Sequence, residues 1–385
     1  MGKYGLSIVM PCLNEEKTLG TCINKAKKFL SDYGIDGEIV IADNGSTDNS
    51  RTIANDLGAR VVNIDRKGYG SALQGGIAAA EYDYIVMGDA DDSYDFLALD
   101  GFIQKLDEGY DLVMGNRFKG GIEKGAMPFS HQYIGNPFLS GIGKLFFKAK
   151  ISDFHCGLRA FRKDSIEKLN LCTTGMEFAS EMVVKAHIHG LKVTEIPCKL
   201  YPDGRDRPPH LRSIPDGFRH LEFLLIYSPK WLFAYPGIIL FVLGLIFTVS
   251  IYIHPIQIGR VEFEATSMLY SAIAMLLGFQ MLQFSVFTNL FGIRIGQFPN
   301  NMKLIDKIKN LANKCGYIVS TIVMLVGIVG IIYTLCKWGQ VGFGELTTNA
   351  ISKTATLFGS LFALGMEMLL FTVFVRVLQM GNSEN

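Results

Sequence analysis

Two carboxylates one residue apart, Asp89-Ala90-Asp91, follow the apolar run Tyr84–Gly88. Carboxylates at i and i+2 in a turn can converge on one hard divalent cation and leave positions open for diphosphate oxygens. Asp43 closes another apolar run, Glu38–Ala42, in a similar way, and its carboxylate suits a base or ribose contact. Lys67-Gly68-Tyr69-Gly70-Ser71-Ala72-Leu73 is a glycine-flexed loop entering a helix, which offers a cation and backbone N–H groups to an anion. Alone, each is a common surface feature, and an acidic turn is usually just solvated. Together they describe a place for a nucleoside diphosphate and its metal.

The elements around them must bring these turns to one place. Leu6–Met10, Glu38–Ala42, Arg60–Ile64, Tyr84–Gly88 and Asp111–Met114 read as strands. Lys17–Ser31 puts Leu19, Ile23, Ala26 and Leu30 on one helical face, and further helices are predicted at Ser50–Leu57, Ser71–Ala80 and Leu97–Glu108. Alternating strands and helices of this length predict an α/β domain with a mostly parallel sheet covered on both faces. Ligands on such sheets sit beyond the carboxyl ends of the strands. Asn14-Glu15-Glu16, Asp43-Asn44-Gly45-Ser46 and Asp89-Ala90-Asp91-Asp92 all fall there.

Met10-Pro11-Cys12-Leu13-Asn14-Glu15-Glu16, Asp43-Asn44-Gly45-Ser46-Thr47-Asp48, Lys67-Gly68-Tyr69-Gly70-Ser71-Ala72 and Asp89-Ala90-Asp91 come in the order and spacing of family-two glycosyltransferases. The chain resembles in particular the polyprenyl-phosphate sugar synthases, of the dolichol-phosphate mannose and bactoprenol-phosphate glucose synthase type. Asp153-Phe154-His155-Cys156-Gly157-Leu158-Arg159-Ala160-Phe161 is similar to their acceptor-side segment, and Gly175-Met176-Glu177-Phe178-Ala179-Ser180-Glu181 to the helix start that follows. The resemblance covers about residues 4–230.

It implies a Rossmann-like GT-A fold, a UDP- or GDP-linked sugar donor, Mg²⁺ or Mn²⁺, and a polyprenyl phosphate acceptor. By position it gives Pro11, Asn14, Glu15 and Asp43 to the nucleoside, with Lys67, Gly68 and Ala90 also on the donor side. Asp89 and Asp91 would hold the diphosphate-bound metal, and Arg117, in Gly115-Asn116-Arg117, would face the acceptor phosphate. Two departures stand out. Relatives commonly carry Leu-Gln after the second aspartate, where this chain has Asp92-Ser93. Their second arginine is replaced near His131-Gln132, which shifts phosphate binding toward Arg159, Arg205 or Arg212.

A phosphate acceptor changes the chemistry required. Its oxygen is already anionic near neutral pH, the second pKa being about 6, so no strong base is needed. Positive charge must instead bring two anions together, and direct displacement with inversion follows. Asp91, Arg117 and Asp153 are the expected catalytic set, Asp153 orienting an arginine such as Arg159. Had the acceptor been a lipid hydroxyl, as in a diacylglycerol or ceramide glycosyltransferase, Asp153 or Glu181 would serve as base. A processive polysaccharide synthase would carry Q-x-x-R-W near the membrane, which is absent. A scaffold or flippase would have no reason to keep carboxylates at strand ends.

The 385 residues carry a net charge of +1, which gives no whole-chain attraction to nucleic acid. Seven scattered cysteines with no C-x-x-C pair argue against a disulfide scaffold or zinc site and for a reducing compartment. The apolar start is too short for a signal peptide and reads as the first strand. Hydrophobic content of 49% is concentrated in the second half, in four stretches at 232–253, 268–291, 316–336 and 355–377. Each has the roughly 20 residues a transmembrane helix needs. Arg205, Arg207, Arg212, Arg219 and Lys230 precede the first, and Arg294, Lys303, Lys307, Lys309 and Lys314 lie between the second and third. The other loops hold only Arg260, Lys337 and Lys353. The positive-inside rule puts the catalytic domain and both termini of this integral protein in the cytoplasm, and the lack of targeting signals points to a prokaryotic plasma membrane over the endoplasmic reticulum.

The expected order is a catalytic domain at 1–210, an amphipathic segment at 211–231, four spans within 232–377 and a tail at 378–385. Phe218, Leu221 and Leu225 recur at helical spacing before Trp231, as in a helix lying in the membrane interface or a plain connecting helix. Arg205–Arg212 is basic and proline-stiffened, suited to closing over the donor or holding the lipid phosphate, or to attracting anionic lipid. Glu367, deep in the fourth span, is expected to hydrogen-bond between helices. A homo-oligomer is compatible with all of this.

Overall fold

The computed structural model of the chain describes residues 5–205, 213–300, 303–340, 342–343 and 349–380. These form two compact units, Met1–Tyr227 and Ser228–Asn385.

In the first unit β1 (Leu6–Cys12), α1 (Leu19–Asp32), β2 (Gly37–Asp43), α2 (Ser50–Asp56), β3 (Arg60–Asn63), α3 (Tyr69–Ala79), β4 (Tyr84–Met87), α4 (Asp100–Asp107) and β5 (Leu112–Asn116) follow in the predicted order. Beyond them come α5 (Arg117–Gly120), a π turn at His131–Gly135 that runs into α6 (Asn136–Phe147), β6 (Arg159–Arg162), α7 (Lys163–Glu167), α8 (Phe178–Ile188), β7 (Val193–Pro197) and α9 (Ser213–Ile226). The sheet order is β3-β2-β1-β4-β6-β5-β7, with β6 antiparallel to β4 and β5 and the other pairings parallel.

Alternation along β1 builds two cores. Leu6, Ile8, Met10 and Cys12 pack under α1 and α4, while Val9 joins Leu73, Ile77, Phe178 and Met182 of α3 and α8 on the other face. Helix α1 buries Leu19, Cys22, Ile23, Ala26, Phe29 and Leu30, one face at helical spacing. Each fully buried Leu or Ile contributes about 1.5–3 kcal/mol, which fixes the sheet's register.

Helix α9 lies on this unit through Phe223 and Leu224, which pack with Leu139 and Val184. His220 also faces inward, its Nδ1 2.8 Å from Ser180 Oγ, while Phe218 stays 69% exposed.

The second unit holds a π turn at Lys230–Ala234 that runs into α10 (Tyr235–Ile253), a short hairpin of β8 (Ile256–Ile258) and β9 (Val261–Phe263), then α11 (Ala265–Arg294), α12 (Lys303–Gln340) and α13 (Asn349–Gln379). Among the described residues, four helices are long and apolar enough to cross a membrane. Small residues let them approach closely: a Cβ on Gly278 would stand 2.3 Å from Phe241 N, and one on Gly327 would stand 2.5 Å from Phe362 N. Lys303, Lys307, Lys309 and Lys314 ride on α12 itself, whose 38 residues begin well before the expected third span. Glu367 accepts hydrogen bonds from Gln280 at 2.8 Å and Gln283 at 3.4 Å, both on α11.

Candidate active site

Because β1, β2, β4 and β5 run parallel, their carboxyl ends share one edge of the sheet, and β6, running the other way, starts there. Asn14–Glu16, Asp43–Thr47, Asp89–Ser93, Arg117 and the approach to β6 from Asp153 therefore meet at that edge.

Ala90 is buried, and its carbonyl accepts from Thr18 Oγ1 at 2.7 Å, which pins the turn between the two aspartates. The Tyr69 hydroxyl donates to Asp89 Oδ1 at 3.0 Å. Ser93 donates its N–H and its hydroxyl to Asp91 Oδ1, at 3.0 and 2.6 Å. Burial, then the neighbouring Asp91 charge, pushes the Asp89 carboxyl up to about 6. A Cβ on residue 157 would stand 2.5 Å from Asp89 Oδ2, so Gly157 leaves that oxygen its room.

A divalent cation fits this donor set. Two hard oxygen ligands crowd together, and their mutual repulsion is what a cation relieves. No group of three or more His, Cys, Asp or Glu side chains gathers among the described residues, so diphosphate oxygens and water would complete the shell, as Mg²⁺ prefers. Asp92, at a left-handed φ of 62°, is held by Lys25 at 2.7 Å, and Ser93 braces Asp91.

Arg205 bridges two of these turns, its Nη2 2.7 Å from Glu15 Oε1 and its Nη1 3.1 Å from Asp91 Oδ2. Asp43 is buried and organises its own turn, accepting from the Gly45 and Ser46 N–H groups and from Arg51 Nε at 2.7 Å. Burial alone would raise its pKa, but Ser46 and Arg51 outweigh it and hold the carboxyl below its usual range. Asn14, at φ 58°, accepts from Thr47 N at 2.7 Å, and Pro11 pairs with Ala42 in the sheet.

The Lys67–Gly68 loop is not the open anion cradle its sequence suggests. Lys67 Nζ donates to Asn44 O, and Gly68 N–H to Asn44 Oδ1, both at 2.7 Å. Ser71 N–H is taken by Thr174 O at 3.2 Å. The glycine is needed for shape instead: its φ is 129°, and a Cβ there would stand 2.2 Å from Thr174 O.

Arg117, expected to face the acceptor phosphate, is clamped from both ends. Its Nε and Nη2 each donate to fully buried Asp153 at 2.7 Å, and its backbone N–H does so at 3.1 Å. This corrects the expected pairing of Asp153 with Arg159. Arg159 is also fully buried, donating to the carbonyls of Cys156, Ala179 and Phe154 at 2.9, 2.8 and 3.1 Å. It braces the 154–156 segment against α8. Glu181 is equally committed, to Lys185 at 2.7 Å and Thr173 Oγ1 at 2.6 Å. Arg212 lies outside the described residues.

The pattern of Glycosyl transferase family 2 matches residues 7–169, and that of the Glycosyltransferase family 2 C-terminal transmembrane region matches residues 286–379. The low-salt glycan biosynthesis hexosyltransferase Agl6 of Haloferax volcanii is 35% identical, over 91% of this chain and 84% of its own length. The chain belongs to glycosyltransferase family 2. Two further relatives from that organism are each 28% identical: glycosyltransferase AglJ, over 78% of this chain and 97% of its own length, and a dolichyl-phosphate hexose transferase, over 50% and 81%. Among solved structures, glucosyl-3-phosphoglycerate synthase from Mycobacterium tuberculosis is 21% identical with a TM-score of 0.47, over 58% of this chain and 77% of that one.

This family-two glycosyltransferase is thus an integral membrane protein. Its site also uses Tyr69, Ser93, Gly157 and Arg51, none of which was singled out from sequence for a role there. Ser93 and Tyr69 sit inside quoted motifs and were recoverable by asking what braces each acid. Gly157 also sits inside a quoted segment, but only the fold brings it against Asp89, and Arg51 carries no such signal.

Proposed function

We propose that this glycosyltransferase moves a sugar from a UDP- or GDP-linked donor onto a polyprenyl phosphate, with inversion at the sugar carbon, at the cytoplasmic face of a prokaryotic plasma membrane. One observation carries the reading: both acids that could serve as a base are already committed, Asp153 to Arg117 and Glu181 to Lys185. A hydroxyl acceptor must surrender a proton to a base, whereas a phosphate needs only a cation to approach. Arg117 is that cation. Asp153 takes its Nε–H and one Nη2–H, which fixes the guanidinium plane for a phosphate oxygen and makes Asp153 a positioning residue. The similarity to a dolichyl-phosphate hexose transferase supports the same acceptor class.

Pro11, Asn14, Glu15 and Asp43 line the nucleoside end, with Lys67 and Gly68 closing the loop beside it. Asp89 and Asp91, either side of Ala90, would hold Mg²⁺ or Mn²⁺, which when bound neutralises the departing diphosphate. Arg205 exchanges its carboxylate partners for diphosphate oxygens as the donor enters. The four spans anchor the chain in the membrane, and the basic residues favour a topology with both termini inside.

Steady-state kinetics of Asp153→Asn test the acceptor. Loosening Arg117 should raise the KM for the lipid phosphate roughly tenfold, about 1.4 kcal/mol, without removing an acidic limb from the pH profile. Transfer to a lipid alcohol by wild type, with that limb lost in the variant, would sink the phosphate reading.

A further inference from the structure

The second unit contains a cavity of about 470 Å³ enclosed by α10, α11, α12 and α13. Two of its lining residues are lysines: Lys230 opens the π turn leading into α10, and Lys303 is the first residue of α12. Helix α10 crosses the membrane, α11 returns, and α12 starts again from the same side. Both lysines therefore lie at one membrane face. Both are exposed, and neither has an acidic partner among the described residues. The wall beneath them changes character with depth. Helix α11 runs toward the lysine face, so Ser285 and buried Asn289 line the near end, Gln283, which donates to Glu367, comes next, and Phe279 lies ten residues before Asn289, about 15 Å deeper. Phe371 of α13 extends the apolar wall.

A cationic rim, a short polar collar and an apolar interior match a lipid with a phosphate at one end and a hydrocarbon chain behind it. We infer that this cavity binds a polyprenyl phosphate, its phosphate between Lys230 and Lys303 and the first part of its chain against Phe279 and Phe371. The choice of lipid rests on the function proposed above. The rest of the chain lies in the bilayer, for which the cavity has no room. This is a site within the helical unit, separate in its residues from Arg117, and it gives the spans a task beyond anchoring.

The test uses the full-length protein carrying Arg117→Gln with Asp153→Asn, so that binding at Arg117 does not obscure the second site and no buried carboxylate is stranded, in phosphatidylcholine nanodiscs. Undecaprenyl phosphate, undecaprenol, phosphatidylglycerol and inorganic phosphate are titrated in turn, and retention is scored by mass spectrometry. Undecaprenyl phosphate should bind, and K230Q/K303Q should weaken it roughly thirtyfold. K230R/K303R should restore it, and K337Q should leave it unchanged. Undecaprenol and inorganic phosphate should bind far more weakly. The site is wrong if K230Q/K303Q binds like its parent, or if phosphatidylglycerol or inorganic phosphate binds as well as undecaprenyl phosphate. Sugar transfer by protein with Arg117 intact separates the two claims. Transfer with lysine-independent binding defeats only the cavity. Lysine-dependent binding with no transfer from any donor defeats only the proposed reaction.

Discussion

Asp91 is braced by Ser93 and faced by Arg205, so its charge can be removed with little change of shape. Asp91→Asn should lower kcat by at least about a hundredfold, the scale of losing one electrostatic contact to a developing charge, while circular dichroism stays native. Gly157→Ala acts from behind: its Cβ would press on Asp89 Oδ2, 2.5 Å away, and should raise the Mn²⁺ concentration for half-maximal activity. An unchanged Mn²⁺ dependence would remove Asp89 from the metal site. Gly68→Ala is a folding test, since its left-handed φ and the Thr174 carbonyl leave no room for a methyl group. A loss of about 1–3 kcal/mol is expected in denaturant melts. At this scale the types of the site residues were legible in sequence, but their partners were not. Arg117 and Asp153 are 36 residues apart, and Arg205 and Glu15 are 190 apart. Nothing local to either residue specifies such pairings, and this is why the sequence reading pairs Asp153 with Arg159 where the fold pairs it with Arg117.

Among the elements, β1 through β5 and their helices were readable because each carries its own apolar period. Strand β6 was not. Its sequence, Arg-Ala-Phe-Arg, looks like a surface turn, and its burial comes from β4 and β5 on either side and from the carbonyls that receive Arg159. Helix α8 shows the same override, with Glu181 and Lys185 both fully buried as an ion pair one turn apart. Lys185→Met would strand the carboxylate and should cost about 3–5 kcal/mol, most of it recovered by adding Glu181→Gln. The pair also sets an acid limit. Burial alone would raise the Glu181 pKa, but hydrogen bonds from Lys185 and Thr173 outweigh it and depress it. Its contribution is therefore complete above the ordinary Glu value of about 4.3 and disappears as pH falls through the lower folded value. Melting temperature should drop below about pH 4 in wild type and vary less with pH in Glu181→Gln/Lys185→Met.

The whole molecule carries a nucleotide-sugar domain and a helical membrane unit, and the orientation proposed above has both ends in the cytoplasm. A C-terminal epitope should therefore be digested by protease in inverted vesicles and protected in intact cells; the reverse would turn the protein over. Helix α12, at 38 residues or about 57 Å, exceeds the roughly 30 Å hydrocarbon core, so its basic first turns extend past that core. The hydrophobic runs announced the four spans. The glycine contacts that pack them became visible only in three dimensions, because close approach depends on what lies opposite. The central claim is transfer to a lipid phosphate, and one assay tests it most directly. Purified wild-type protein is given undecaprenyl phosphate and a panel of radiolabelled UDP- and GDP-sugars, with Mn²⁺ or with a chelator, and the extracted lipid is treated with mild acid. The account predicts a labelled lipid that forms only with metal and releases its sugar in acid. An acid-stable product, or one formed only on a lipid alcohol, would contradict it.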